Sequence, residues 1–443
     1  MKTSKLILTI SCLFFYTFCF SQKEKYVSLF KPQSRQGIKD SVLFYYKADI
    51  DILNIDFDKT KKEDKWVLNN GMLSQFFNNE ISSFAASMKD LSLEPNIVSV
   101  NSENKTITIG KNILLQNNKD RLDKDLRKIS NVLSVSVSSS IDKNFSKIYS
   151  KNNKTNEYDF ASEINLNLKF THIGNNSIWV TSNSSEKITD FRDKKISSYL
   201  NEEFKNDKDF KIKIEEKDSV SFITKKYYEY YKKISEKEVK NIKDNTLFSS
   251  YSLHWYGFNL GIPLTKKVIN VKSTKTVGTF DSEEFYSWKA EAFFNYLYNV
   301  PKLKWLKGST FNFRVSGSIF NNNNFIADNA NAVTFQSIID QNTIQQVLSP
   351  ADLVFIGEYK RLTTTALKAE GSSLFFENTI GISAALEKNL GDYDALNWKL
   401  GVPVSLKDKD KKPTLNFELQ WREVNRQHMV GISAGYIFGK FVR

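Results

Sequence analysis

Hydrophobic and polar residues alternate one for one along much of the chain. In "HMVGISAGYIFGKF", Val430, Ile432, Ala434, Tyr436 and Phe438 fall on one side, and Gly431, Ser433, Gly435 and Gly439 on the other. "TLNFELQWR" sets Leu415, Phe417, Leu419 and Trp421 against Asn416, Glu418, Gln420 and Arg422. "ALNWKLGVPVSL", "LFFENTIGISAALE", "STFNFRVSGSI", "WKAEAFFNYLY" and "INLNLKF" repeat the pattern. A period of two is that of a strand with unlike faces. A water-soluble sandwich also alternates, but here the polar faces carry full charges of both signs. The apolar faces run on for about ten residues, the length of a membrane-spanning strand. Trp288, Trp305, Trp398 and Trp421 gather toward strand ends, as aromatic girdles at the two membrane interfaces do.

The expected fold is therefore all-β: a closed antiparallel transmembrane β-barrel of about twelve strands, with ten to fourteen as the range. The strands read as 42–57, 129–141, 160–182, 246–264, 267–280, 284–300, 305–320, 353–368, 372–387, 394–406, 414–424 and 428–442. If the last strand ends in the periplasm, counting backwards puts the long connections 58–128, 183–245 and 321–352 on the extracellular side, partly helical. The other side then has mostly short turns such as "AEG", "VPKLK" and "TKK". Long loops outside and short turns inside are the habit of such barrels.

Residues 1–21 read as a secretory leader: Lys2 and Lys5, an apolar run from Leu6 to Phe20, and a small-x-small pattern at Cys19 and Ser21. Residues 22–41 follow as a periplasmic N-terminal segment and 42–443 as the barrel with its loops. Both cysteines, Cys12 and Cys19, fall in the leader, so the mature chain is expected to lack disulfides and thiolate chemistry. Losing Lys2 and Lys5 lowers the formal charge from +13 to +11. That excess is lysine scattered among acids, and an exported chain rarely meets nucleic acid, which is not expected as a partner. No later stretch approaches the roughly 20 apolar residues of a membrane helix.

The leader, the alternating strands and the closing "GISAGYIFGKF" together resemble Gram-negative outer-membrane β-barrel proteins. The resemblance implies localisation in the outer membrane of a Gram-negative bacterium, with outer-membrane lipid as a partner. The terminal strand with Tyr436 and Phe438 is similar to the signal read by the barrel-insertion machinery, although this chain ends "FVR" instead of on an aromatic residue.

There is no glycine-rich phosphate loop, no "HExxH" and no cysteine cluster. His172, His254 and His428 are far apart in the chain. No metal, cofactor or enzymatic activity is expected. Ser252, two residues before His254 on one strand face, leaves surface lipid or ester hydrolysis as the least favoured reading. The lumen face is expected to carry Lys169, Lys289, Arg314, Lys399 and Arg422 against Glu291, Glu377 and Glu418. This is either a packed, salt-bridged interior or a polar passage. Across Ile223 and the following "KKYYEYYKKISEKEVKNIK", Ile223, Tyr227, Tyr230 and Ile234 lie at helical spacing. Tyr227, Tyr228, Tyr230 and Tyr231 are candidates for an aromatic platform that grips a partner at the cell surface. The leading expectation is a non-enzymatic surface binding or structural component of an outer-membrane assembly, meeting other outer-membrane or surface proteins. The alternative is a porin-like diffusion channel or uptake pore for small polar solutes.

Overall fold

The computed structural model describes residues 62–68, 70–84, 96–101, 106–115, 131–140, 149–151, 158–160, 164–174, 177–207, 219–272, 281–301, 308–327, 333–334, 353–408, 413–424 and 427–437. The leader, the segment 22–41 and the strand expected at 42–57 lie outside them. In chain order the first elements are β1 (Glu63–Val67), α1 (Asn70–Ser82), β2 (Asn96–Asn101), β3 (Thr106–Leu115), β4 (Asn131–Ser140), β5 (Tyr149–Lys151), β6 (Tyr158–Phe160), β7 (Asn165–Ile173) and β8 (Ser177–Thr181). A helical stretch follows: α2 (Ser182–Phe191), a π-helical turn (Arg192–Ile196), α3 (Ser197–Asn206) and α4 (Ser219–Asp244). Then come β9 (Ser250–Pro263), β10 (Lys267–Lys272), β11 (Asp281–Phe285), β12 (Lys289–Val300), β13 (Ser309–Asn323), α5 (Asn324–Ala327), β14 (Val333–Thr334) and β15 (Leu353–Ile356). The chain continues through β16 (Arg361–Phe375), β17 (Ile380–Gly391), β18 (Ala395–Lys407), β19 (Pro413–Val424) and β20 (Gln427–Ile437).

One fourteen-stranded antiparallel sheet dominates, in the order β1-β8-β9-β12-β13-β16-β17-β18-β19-β20-β2-β3-β4-β7. β7 also pairs β9, from Asn165 opposite Pro263 to Ile173 opposite Trp255. β1 and β8 form a short flap off β9. Alternation gives the sheet two unlike faces. On β17, Ile382 is 62% exposed while its neighbour Ser383 is buried. Phe258, Tyr296, Phe313, Leu367, Leu400 and Leu419 extend the exposed apolar face around the strands. The opposite, inner face carries Asn295, Arg314, Ser372 and Glu418, all buried.

Because neighbouring strands alternate in direction, each connection can be assigned to an end of the sheet. β9 begins at the end where β20 finishes, here the near end, so the helical stretch 182–244 emerges there. The connections 264–288 and 324–360 emerge at the far end. The long connections thus divide between the two ends, contrary to the expectation of one common side. The cause lies at 267–280: β10 belongs to a separate four-stranded sheet, β11-β10-β15-β14. Counting it as a wall strand reverses the direction of everything before it. The expected loop 58–128 is not one loop either, since β2 and β3 inside it are strands of the large sheet.

At the near end α1, α4, β1 and β8 pack on the inner face. Met72, Leu73, Phe76 and Ile81 of α1 join Tyr251, Leu253 and Trp255 of β9, Phe293 and Leu297 of β12, and Val239 and Ile242 of α4 in one core. A helix of 13 residues is marginal alone. Burying four such side chains, at about 1.5–3 kcal/mol each, holds it in place. The far-end sheet has its own small core of Ile269, Val271, Phe285 and Phe325, with Phe355 stacked on Phe325 at 5.0 Å.

Candidate functional site

The charged residues of the inner face are built into a ladder. Lys289 Nζ lies 2.7 Å from Glu291, to which the Arg314 guanidinium also donates from the next strand. Arg314 Nε is 3.8 Å from Glu370 on β16, and Lys368 pairs with Glu370 at 2.6 Å. Lys399 Nζ lies 3.1 Å from Glu418, whose carboxylate also accepts from the Ser383 hydroxyl. Lys169 and Arg314 sit 4.7 and 5.0 Å from the Phe293 ring centroid. Arg422 stands opposite Lys399 in the β18–β19 register. Two like charges so placed repel, and Glu418, paired with Lys399, offsets part of the repulsion. At the buried members Glu291, Arg314, Glu370, Lys399 and Glu418 these alternating charges stiffen the sheet, and each depends on its partner.

Glu377 is not on this face. It lies in the β16–β17 turn with φ 58°, between Phe376 at 52° and Asn378 at 65°. The expected turn "AEG" is instead strand interior, which is why Lys368 and Glu370 went unforeseen. Their own alternation with Ala369 and Gly371 was the available signal.

Where the helical unit meets the wall, one carboxylate gathers four elements. Glu80, at the end of α1 and 8% exposed, accepts from Asn378 Nδ2 at 2.6 Å. It pairs with Lys243 of α4 at 2.7 Å and lies 3.3 Å from the Thr310 hydroxyl of β13. Burial alone raises its pKa. The charge and hydrogen bond of Lys243, the charge of Lys407 and the Asn378 amide outweigh that and hold the carboxyl below the ordinary value. Deeper in the unit, Arg192 and Glu238 form a buried pair at 2.5 Å, with the guanidinium 4.5 Å over the Trp66 ring. Nothing in the sequence pattern pointed to α1, though Leu73, Phe76, Ile81 and Phe84 do recur at helical spacing.

The tyrosine platform is not assembled at a surface by the described side chains. Tyr230 is 1% exposed and its hydroxyl donates to Asp207, so it packs inward. Tyr227, Tyr228 and Tyr231 lie in α4, with side chains outside the described residues. The buried stripe runs on from Tyr230 and Ile234 to Val239 and Ile242. Near it, Tyr199 is pushed up to about 12, by burial first and then by Glu203.

Trp398 and Trp421 lie on the exposed apolar face, edge to face at 5.0 Å. Trp288 is exposed at the far end, and Trp305 lies outside the described residues. His254 stacks on Phe294 at 6.2 Å, and its ring fills the space a Cβ on Gly174 would need. Ser252 alternates onto the same outward face. His172 Nδ1 is 3.0 Å from Asn131 Oδ1. Among the described residues no three or more His, Cys, Asp or Glu side chains group as metal ligands, and no helix is long and apolar enough to cross a membrane.

No protein-family model and no curated protein matches this sequence. Among solved structures, the crystal structure of the β domain of the Bordetella autotransporter BrkA aligns over 77% of this chain and 95% of that chain, with 7% identity and a TM-score of 0.26. An antiparallel sheet with an exposed apolar face and a buried charged one is the construction of the general outer-membrane β-barrel class.

Proposed function

We propose that this chain is an integral outer-membrane barrel of twelve strands, occluded at one mouth, that serves as a non-enzymatic binding or structural component of an outer-membrane assembly. The observation that carries the reading is the helical unit on the inner face. Its core is continuous with Leu253, Trp255, Phe293 and Leu297 of the wall, which opposes free passage of water and solutes.

Support for closure comes from the register. Followed from β20 through β2 and round to β19, the pairings return to β20 displaced by roughly sixteen residues. For twelve strands that stagger corresponds to a tilt of about 40–45° and a radius of about 12 Å. An open edge would instead leave backbone groups bare in hydrocarbon at several kcal/mol each. Side chains fill a barrel of about eight strands unaided, and a wider one calls for an inserted element such as α1. With the near end in the periplasm, the helical unit faces periplasmic partners and the small sheet faces outward.

The test is planar-bilayer recording of the purified protein, paired with co-purification from gently solubilised membranes. A silent bilayer with a reproducible co-purifying partner is the expected result. Steady conductance would replace this reading by the second one, a channel for small polar solutes. The charged inner ladder of Lys289, Glu291, Arg314 and Glu370 favours that alternative.

A further inference from the structure

The helical unit is not seated evenly in the wall. Its core takes in Val132 of β4, Ile173 of β7, Trp255 of β9, Leu297 of β12 and Leu374 of β16, an arc running from β4 round to β16. Among the described residues, none of β17 to β20 joins it. Along those strands the buried inward side chains are polar, Ser383, Ser405, Asn416, Gln420 and Ser433 among them. The Ser405 hydroxyl and the Gln420 side-chain carbonyl have no hydrogen-bond partner among the described residues, a cost that entering water would relieve. Room remains on this side as well. Gly431, between the outward Val430 and Ile432, faces inward and is exposed, and a Cβ there would meet nothing within 4 Å.

Hydrogen bonds fasten α1 at the margin of the apolar arc, where β16 turns into β17. Asn378 in that turn donates to Glu80 at 2.6 Å and accepts from the Thr310 hydroxyl of β13 at 2.6 Å. The same hydroxyl lies 3.3 Å from Glu80. The two kinds of attachment fail differently. Apolar contacts are many and non-directional, so a small tilt loosens them little by little. A hydrogen bond of 2.6 Å is gone after roughly 1 Å of movement. α1 therefore has a hinge along β9 and β12 and a catch at β13 and the β16–β17 turn.

We infer that α1 is a hinged gate: Glu80, Thr310 and Asn378 form its catch, and release of the catch opens a path for small polar solutes along the β17–β20 side. The inference rests on the reading of an occluded barrel and gives its closed mouth a second, conducting state. Planar-bilayer recording of the full protein tests it with two variants. Asn378→Gly keeps the left-handed turn and removes the catch, and Thr310→Val removes the hydroxyl from a strand that valine suits. Both should open about tenfold more often than the wild type. Amide exchange should quicken over 70–82 and stay unchanged over 251–255. Gly431→Trp added to Asn378→Gly should lower the unit conductance about twofold, by narrowing the path, and leave the opening frequency alone. Heat-modifiable migration and liposome flotation identify the variants that insert. Inserted Asn378→Gly and Thr310→Val as silent as the wild type, or openings whose size Gly431→Trp does not change, would overturn the gate alone. Steady conductance of the wild type would overturn the occluded barrel and the gate together.

Discussion

The side-chain amide of Asn378, in the turn between β16 and β17, donates to the Glu80 carboxylate of α1 across 2.6 Å. The two residues are 298 positions apart in the chain. Their bond ties the inserted helix to a rim whose residues 376–378 all have left-handed backbone, a conformation non-glycine residues adopt only when held there. Glu80→Ala would remove the common partner of Asn378 and Lys243. A cost of about 2–4 kcal/mol is expected, read as a lower melting temperature and faster amide exchange over 70–84. Unchanged exchange in that segment would show that α1 is held by its apolar core alone.

The same carboxylate sets a pH dependence. Its folded pKa is depressed, so its contribution is fully present above the unfolded glutamate value of about 4.3 and is lost as pH falls through the lower folded value. Docking of α1 should therefore not vary with this group between about pH 5 and 8 and should loosen below about pH 4. In Glu80→Gln that step should vanish, which amide exchange across the range would record.

Arg314 serves two acids at once, Glu291 and Glu370. Arg314→Ala leaves both facing each other with one fewer cation, and a loss of about 3–5 kcal/mol is expected. Adding Glu291→Gln to that variant should recover part of the loss, because one of the two carboxylates that shared the guanidinium is then neutral. Denaturant midpoints in detergent measure both. Additive losses would mean that the ladder is not coupled.

Two glycines on adjacent strands separate close packing from open space. A Cβ on Gly381 would lie 1.8 Å from the Ser373 carbonyl oxygen, whereas one on Gly371 would meet nothing within 4 Å. Backbone cannot swing away as a side chain can, so Gly381→Ala should lower the folded, heat-modifiable fraction severalfold. Gly371→Ala should leave it unchanged. Equal effects would place the β16–β17 pairing elsewhere.

Legibility followed the alternation. The last three strands were plain because Leu396 to Leu406, Leu415 to Trp421 and Val430 to Ala434 alternate without interruption. The β16–β17 boundary was misplaced because Leu374, Phe375 and Phe376 continue the apolar run straight into the turn. That single shift promoted Glu377 and hid Glu370. Val268 to Val271 look like wall strand because a small surface sheet has the same period of two. The helical unit was unreadable as an insertion, because a helix that packs inside a wall and one that folds over it have the same stripe. Which carboxylates pair across strands is set by register, and a single sequence contains no register.

Ile382 and Ser383 decide between lipid and water as the solvent of the outer face. They are consecutive on β17, one 62% exposed and the other buried. On a water-soluble protein, replacing so exposed an isoleucine by arginine would be harmless and would aid solubility. In a bilayer the same change puts a guanidinium into hydrocarbon at about 2–4 kcal/mol near the midplane, falling toward zero at the interfaces. Ile382→Arg should therefore reduce membrane insertion, and Ile432→Arg on β20 should do likewise. Charges introduced at Thr363 or Asn321, near the far ends of β16 and β13, should be tolerated. Liposome flotation and heat-modifiable migration read the difference. Normal insertion of Ile382→Arg, with better solubility in plain buffer, would mean that this face meets water and that the transmembrane reading is wrong.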